Sequence, residues 1–306
     1  MEHKLSLIIL TFNEQLHIER CINAAKNLNA QVLVIDSFST DRTCEIARDL
    51  GAKVFQNPFV NQAQQFQWAM DNCAVDNQWV LRLDADETID SELVTNINEF
   101  IRLDGNGHNG AIFHRKHIFL GKWVKYGGRY PLPMLRLFRN GHAHIEQRWM
   151  DEHIVLNNGT STFLQGGFAD DNLNSVSWFI DKHNKYASRE MVDIMLKRLM
   201  PNTDSKITQA TSLSIKLKRF LKQSVYMKLP YFARPFIYFN FRYILQLGFL
   251  DGGRGFAYHF MQAFWYRALV DLKCIEVERE WQTEMNIAEK VSVLEKYSGY
   301  SLEDYK

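Results

Sequence analysis

The sequence predicts an α/β protein: a mostly parallel sheet flanked by helices, followed by a helical extension. Three observations carry that expectation. Short apolar runs alternate with stretches of helical periodicity through the N-terminal third, the spacing of consecutive βαβ units. Acidic residues recur where the first, second and fourth of those runs end. After Asp204 the composition changes, with no Asp or Glu between Ser205 and Leu250.

Taken in order, Leu5–Leu10 reads as a first strand leading into the polar corner Thr11-Phe-Asn-Glu14. The apolar positions Leu16, Ile18, Ile22, Ala25 and Leu28 suit a helix. Gln31–Asp36 is a second strand that again ends in an acid. Ser37-Phe-Ser-Thr-Asp41 offers capping side chains to a helix reaching about Leu50, with Gly51 as its stop. Lys53–Phe55 is a short third strand and Asn61–Asn72 a helix. Trp79-Val-Leu-Arg-Leu-Asp84 is the fourth strand. Ser91 caps a helix running to Leu103, Gly105–Gly110 is a loop, and Ala111–Phe119 and Met134–Arg139 are strands. His153–Leu156 and Thr162–Leu164 add short strands, and Val176–Met200 is a long helix ended by Pro201. The expected division is residues 1–204 and 205–306.

At 306 residues the chain is long enough for a full core. Its 36 basic and 35 acidic residues nearly cancel, which argues against a nucleic-acid partner. The four cysteines show no CxxC pair or zinc spacing and read as buried thiols of a reducing compartment. The stretch after Met1 turns polar too soon for a signal peptide. No apolar run approaches the ~20 residues that span a bilayer. These features give a cytoplasmic expectation.

The fourth strand carries the chemistry. Asp84, Asp86 and Glu87 gather at its carboxyl end, where open α/β sheets bind ligands. Three carboxylates together are costly unless a cation sits among them. Hard divalent ions such as Mg²⁺ or Mn²⁺ are the usual partner, and acids on such an edge suit holding a metal against a diphosphate. In the extension, Lys206, Lys216, Lys218, Arg219, Lys222, Lys228, Arg234 and Arg242 interleave with aromatic residues. That mixture suits an anionic lipid surface.

The same residues carry a family resemblance. Leu7-Ile-Ile-Leu-Thr-Phe-Asn-Glu14, Val34-Ile-Asp-Ser-Phe-Ser-Thr-Asp-Arg-Thr43 and Leu83-Asp-Ala-Asp-Glu87 resemble the signature blocks of the family 2 glycosyltransferases. The last block resembles their Asp-x-Asp motif. Gln65-Phe-Gln-Trp-Ala69, Leu135-Arg-Leu-Phe-Arg139, Met150-Asp-Glu-His153, Lys182-His-Asn-Lys-Tyr186 and Gly248-Phe-Leu-Asp-Gly-Gly253 are similar to a bacterial subgroup. That subgroup comprises the lipopolysaccharide-core and exopolysaccharide β-glycosyltransferases. The resemblance implies a GT-A fold and an inverting, Mg²⁺- or Mn²⁺-dependent transfer from a nucleotide-sugar donor to a lipid-linked or glycan acceptor. It implies that Thr11, Asn13 and Glu14 line the base and ribose pocket, that Asp36 holds the base and that Gln65 closes its side. Asp84 would bind ribose or sugar, and Asp86 would ligate the metal, with His153 as a further ligand. Arg82 or Arg136 would add charge at the diphosphate. Inversion requires one general base, for which Glu152 is the first candidate and Asp151 the second. With the basic extension, this places the protein on the inner face of the cytoplasmic membrane.

Two other readings stand beside it. Asp84-Ala-Asp-Glu-Thr88 also spells the nucleophile loop of HAD-type phosphatases, although that loop ordinarily follows a first strand. A non-catalytic membrane-docking protein is the other. A dinucleotide dehydrogenase is disfavoured because no GxGxxG follows the first strand.

Overall fold

A computed structural model describes residues 4–146, 153–200 and 229–302. Asp151, Glu152 and the cations from Lys206 to Lys228 lie outside the described residues. The chain divides into two compact units, Met1–Leu173 and Asn174–Lys306. The long helix therefore belongs with the second unit, whereas the composition changes only at Asp204.

In the first unit, β1 (Leu5–Thr11), α1 (Ile18–Ala25), β2 (Ala30–Asp36), α2 (Thr43–Asp49), β3 (Lys53–Gln56), α3 (Gln62–Asn72) and β4 (Trp79–Asp84) follow the predicted alternation. Next come β5 (Glu87–Ile89), α4 (Ser91–Arg102), β6 (Gly110–Phe119), β7 (Lys122–Val124), β8 (Pro133–Arg139) and β9 (Ala143–Ile145). The unit ends with β10 (Ile154–Leu156), β11 (Ser161–Phe163) and β12 (Phe168–Asp171). The main sheet runs β3-β2-β1-β4-β8-β6-β12-β5, with β7 and β11 also on β6, while β9 and β10 pair separately.

Strands β3, β2, β1 and β4 are parallel, and β8 then joins β4 antiparallel. Apolar alternation explains the layering, because successive strand residues face opposite sides. Leu5, Leu7 and Ile9 of β1 pack with α1, α2 and α4, while Ile8 packs with α3, Ile145 and Ile154. Each of these fully buried aliphatic side chains contributes about 1.5–3 kcal/mol relative to exposure.

Only Ala85 and Asp86 separate β4 from β5, yet β5 is the last strand on the pairing path. The stretch β4-β8-β6-β12-β5 must therefore curl back on itself. Strand β5 was not predicted from the sequence, because three residues form a strand only through long-range pairing with β12.

One cap differs from expectation. Asp90 rather than Ser91 caps α4, accepting from the Leu93 N–H at 2.9 Å. Helix α2 starts at Thr43, whose N–H donates to Asp41 Oδ1 at 3.0 Å, so Asp41 serves that helix start as expected. Asn61 does cap α3.

The second unit holds α5 (Val176–Leu199), α6 (Ala233–Asn240), α7 (Gly252–His259), α8 (Tyr266–Glu280) and α9 (Ile287–Ser298). Its core is formed by Met191 and Met195 of α5, Val270, Cys274 and Val277 of α8, and Val291 and Leu294 of α9. His183 is buried, bonded from Nδ1 to the Phe179 carbonyl at 2.8 Å and from Nε2 to Gln262 at 2.6 Å. It fastens the helical core rather than facing a ligand. Among the described residues no helix is long and apolar enough to cross a membrane.

In the sheet, Asp170 of β12 lies opposite His117 of β6 and bonds its Nδ1 at 3.1 Å, with Arg115 at 3.6 Å. Burial alone would raise the Asp170 carboxyl, but the His117 hydrogen bond and the His117 and Arg115 charges hold it down at about 2. A lowered carboxyl stabilises the fold above its unfolded pKa, near 3.8, and that contribution is lost as pH falls through 2. Asp170→Asn is therefore expected to be less stable than the parent at pH 6, with the gap closing toward pH 2. Urea unfolding at a series of pH values measures this.

Candidate active site

The register brings the strand-end acids to one edge. Asp36 lies opposite Thr11 across β1–β2, and Asp84 lies opposite Leu10 across β1–β4. Two strand spacings separate Asp36 from Asp84, roughly 10 Å of backbone. Asp86 follows in the turn after β4. The acids thus line a common carboxyl edge.

Around Asp36 the loops after β1 and β2 are sewn together. Its Oδ1 accepts from Thr11 Oγ1 at 3.0 Å and from Ser39 Oγ, and its Oδ2 from the Ser39 N–H at 2.8 Å and Gln56 at 3.2 Å. Burial opposes ionisation, but these donors keep the carboxyl below its ordinary value. Asn13, at φ +55°, accepts from the Thr40 N–H at 2.9 Å. Thr43 Oγ1 accepts from the Glu14 N–H, and Asp41 from that of Gln15. Asp41 thus joins the β1 loop through Oδ2 and the start of α2 through Oδ1. Gln65 is buried, bonding Ser37, Asn57 and the Asn57 carbonyl, so it braces the wall through both ends of its amide. Phe12 and Phe38 stay exposed beside this network, and Phe38 holds φ +60°. Backbone strain of that kind collects at ligand sites.

Around Asp84 the cation that the clustered acids require is supplied by the protein itself. Arg136 of β8 donates Nη2 to Asp84 at 3.1 Å and to Glu87, and Arg82 reaches Asp84 at 3.3 Å. Arg115 stands 3.8 Å from Glu87. The Asp84 N–H also donates to Glu87 at 2.8 Å, closing the turn. Burial would raise Asp84, but the Arg136 and Arg82 charges hold it well below the carboxylate range. Glu87 goes the other way: burial and the Asp84 charge push it up to about 8 against the pull of Arg136. Two acids sharing one guanidinium are driven apart in this manner. Arg82 and Arg136, expected at a diphosphate, are thus committed to the strand-end acids.

A strap from the end of β12 holds Asp86. Asn172 Nδ2 donates to its Oδ2 at 3.0 Å, and the Asp171 N–H to its carbonyl at 3.0 Å. Arg20 of α1 grips Asp171 at 2.7 Å. The fully buried His17 accepts the Leu173 N–H on Nε2 at 2.8 Å, so Nδ1 carries the proton donated to Glu14 at 2.6 Å. Asn172, Asp171 and Leu173 could not be found from sequence, since nothing local ties them to residues so distant. Glu14 and His17, three apart at a helix start, carried a local signal.

Among the described residues no three His, Cys, Asp or Glu side chains gather to hold a metal alone. A Mg²⁺-type ion needs fewer, since one or two carboxylates plus substrate phosphates suffice. Asp86, a hard oxygen donor oriented by an outer amide, fits that role. His153 is exposed at the start of β10, where its carbonyl accepts from the Glu146 N–H.

Arg136→Met would leave the buried Asp84 carboxylate with too little positive charge. The expected loss is about 3–5 kcal/mol of stability by urea unfolding. Adding Asp84→Asn to that variant should restore part of it, since Glu87, pushed up to about 8, carries a proton at neutral pH.

Comparison with known proteins gives the following. An uncharacterized glycosyltransferase of Rickettsia typhi is 44% identical over 90 residues, 29% of this chain and 30% of that protein. One from Rickettsia bellii is 46% identical over the same shares. The matched segment thus spans under a third of these relatives. Among solved structures, glucosyl-3-phosphoglycerate synthase of Mycobacterium tuberculosis, bound to Mn²⁺, uridine diphosphate and glucosyl-3-phosphoglycerate, aligns with a TM-score of 0.33. It is 21% identical over 37% of this chain and 44% of that one. Residues 6–165, just over half of the sequence, match the profile of glycosyl transferase family 2 and include Asp36, Asp84 and Asp86. The chain belongs to glycosyl transferase family 2.

Proposed function

We propose that the protein is an inverting, metal-dependent glycosyltransferase. It moves a sugar from a nucleotide-sugar donor to a lipid-linked or polysaccharide acceptor in bacterial cell-surface glycan synthesis. The observation that carries this reading is the register of β2, β1 and β4, which sets Asp36, Asp84 and the Asp86 turn along one edge. The base and ribose would occupy the sewn loops at Thr11, Asn13 and Glu14, with Phe12 and Phe38 offering faces for stacking. The diphosphate would lie toward Asp86. A Mg²⁺ or Mn²⁺ bound there would act as a Lewis acid for the departing nucleoside diphosphate. Asp86 would ligate it, Asn172 would fix the orientation of that carboxylate, and Asp84 would face ribose or sugar. His153 is a candidate second ligand, and Glu152 or Asp151 the base that takes the acceptor's proton.

Family membership favours this reading over the HAD-type phosphatase and the non-catalytic docking protein. The bonding of Asp84 agrees, since a carboxylate held by two guanidiniums is a poor nucleophile. The acceptor class and a peripheral position on the inner face of the cytoplasmic membrane rest on the basic, aromatic composition after Asp204. A lipid-linked acceptor would be concentrated by tethering to that surface.

Asp86→Ala is expected to lower nucleoside diphosphate release from a panel of nucleotide sugars at least about a hundredfold. That is the scale of several kcal/mol of lost transition-state stabilisation. The circular dichroism melt should stay close to the parent's. Chelation should silence the parent, and added Mn²⁺ should restore it. Full turnover by Asp86→Ala, or chelator-insensitive hydrolysis of a simple phosphate ester, would overturn the assignment.

A further inference from the structure

The acid-free stretch does not use its described cations at the surface. Arg234 is buried on Asp271, with Nε 2.7 Å from Oδ1, and Arg242 is buried as well. Asp251, the remaining charged residue from Leu229 to Gly253, is also buried. Over that span, therefore, no charged side chain is exposed, and Arg254 just beyond it is the hairpin's exposed cation among the described residues.

What is exposed is apolar. Leu245 is 73% exposed, Phe236 60% and Ile244 52%, with Phe241, Phe249 and Leu250 between 45% and 51%. Of these, Phe249 also packs on Tyr243 within the segment. Phe239 stacks on Tyr243 at 5.3 Å and meets Phe256 and Phe260, while Tyr243 meets Phe249 and Phe256. The earlier helix residue thus meets the later partners, and α6 and α7 form a hairpin with an aromatic seam of its own.

The turn is built for close approach. Leu247 holds φ +60° and Gly252 φ +69°, and a Cβ on Gly248 would stand 2.8 Å from the His259 ring. The Gly248-Phe-Leu-Asp-Gly-Gly253 block is thereby explained as a tight turn that leaves Leu247, Phe249 and Leu250 facing outward.

A contiguous exposed apolar surface of this kind marks a protein or membrane contact. Charge decides between them. Upstream in the chain lie Lys206, Lys216, Lys218, Arg219, Lys222 and Lys228 without one acid. Lys228 stands four residues before Phe232 in the sequence. Two copies meeting on this face would bring like charges together, whereas an anionic lipid surface complements them. We propose that the hairpin from Phe232 to Phe260 is a membrane-inserting surface whose exposed apolar side chains enter the hydrocarbon of an anionic bilayer. This rests on the membrane-surface part of the reading above and is independent of sugar transfer.

The test is flotation of the full chain with phosphatidylcholine vesicles containing phosphatidylglycerol, at low and high salt. The parent should float at both. Leu245→Glu with Phe236→Glu should weaken partition at least tenfold at both, and Leu245→Ser with Phe236→Ser should fall between. The thermal melt and donor hydrolysis in solution should be unchanged in each variant. Parent-like flotation of the Glu variant would overturn the proposal, as would complete release of the parent by salt. So would a parent dimer in sedimentation velocity that the Glu variant converts to monomer without any change in flotation. Loss of sugar transfer with flotation intact would instead count against the catalytic reading.

Discussion

The first unit depends on one buried guanidinium. Asp84 and Glu87 stand on either side of a two-residue turn, and both face Arg136. Without it, the buried Asp84 carboxylate would lose the nearer of its two guanidiniums, beside a Glu87 that burial and the Asp84 charge already push up to about 8. Arg136 arrives because β8 is the antiparallel neighbour of β4, with Leu81 opposite Leu137. A slip of one residue would turn Arg136 to the opposite face of the sheet. Strand pairing and the electrostatics of the edge are thus one constraint. The curl that returns β5 beside β12 also brings Arg115 and Asp170 into the same network.

That coupling explains which parts of the fold were legible. Strands β1, β2 and β4 carry their own signal, since each is a run of residues buried on both faces. Helices α3 and α4 announce themselves through Asn61 and through the acid and serine at Asp90 and Ser91. Strands β5, β7, β9 and β12 were not legible. They are three or four residues long, too short to show a period of their own, and β5 and β12 pair with strands far away in the sequence. The strand-end acids were legible as a cluster that needs a cation. Their protein partner was not, because Arg136 is fifty-two positions from Asp84. The Asn172 strap is more remote still, eighty-six positions from Asp86.

The C-terminal hairpin shows the reverse error. Arginines interleaved with aromatics read as a cationic face, yet Arg234 finds Asp271 thirty-seven residues on and is withdrawn from the surface. Removing those charges leaves the exposed surface from Phe232 to Leu250 free of charged side chains among the described residues. The lipid argument therefore moves from headgroup attraction toward apolar insertion. The two differ in physics: attraction is screened within about 8–10 Å at ordinary ionic strength, while apolar burial is not.

The bonding of Asp36 bears on how a donor base would be read. Each carboxylate oxygen already accepts two hydrogen bonds, so its acceptor capacity is filled. A base N–H reaching this carboxylate must displace Ser39, Gln56 or Thr11, exchanging one hydrogen bond for another with little net gain. Discrimination there would depend on whether the displaced donor finds a new acceptor on the base. A uniform attraction to the charge would not supply it. The same saturation gives Asp36 a second consequence, because its donors fix the loops after β1 and β2 before any ligand arrives. A pocket ordered in advance loses less conformational entropy on binding. On the proposed reading, the carboxylate would serve a donor first by shaping the pocket, and by direct contact only where a bond is exchanged.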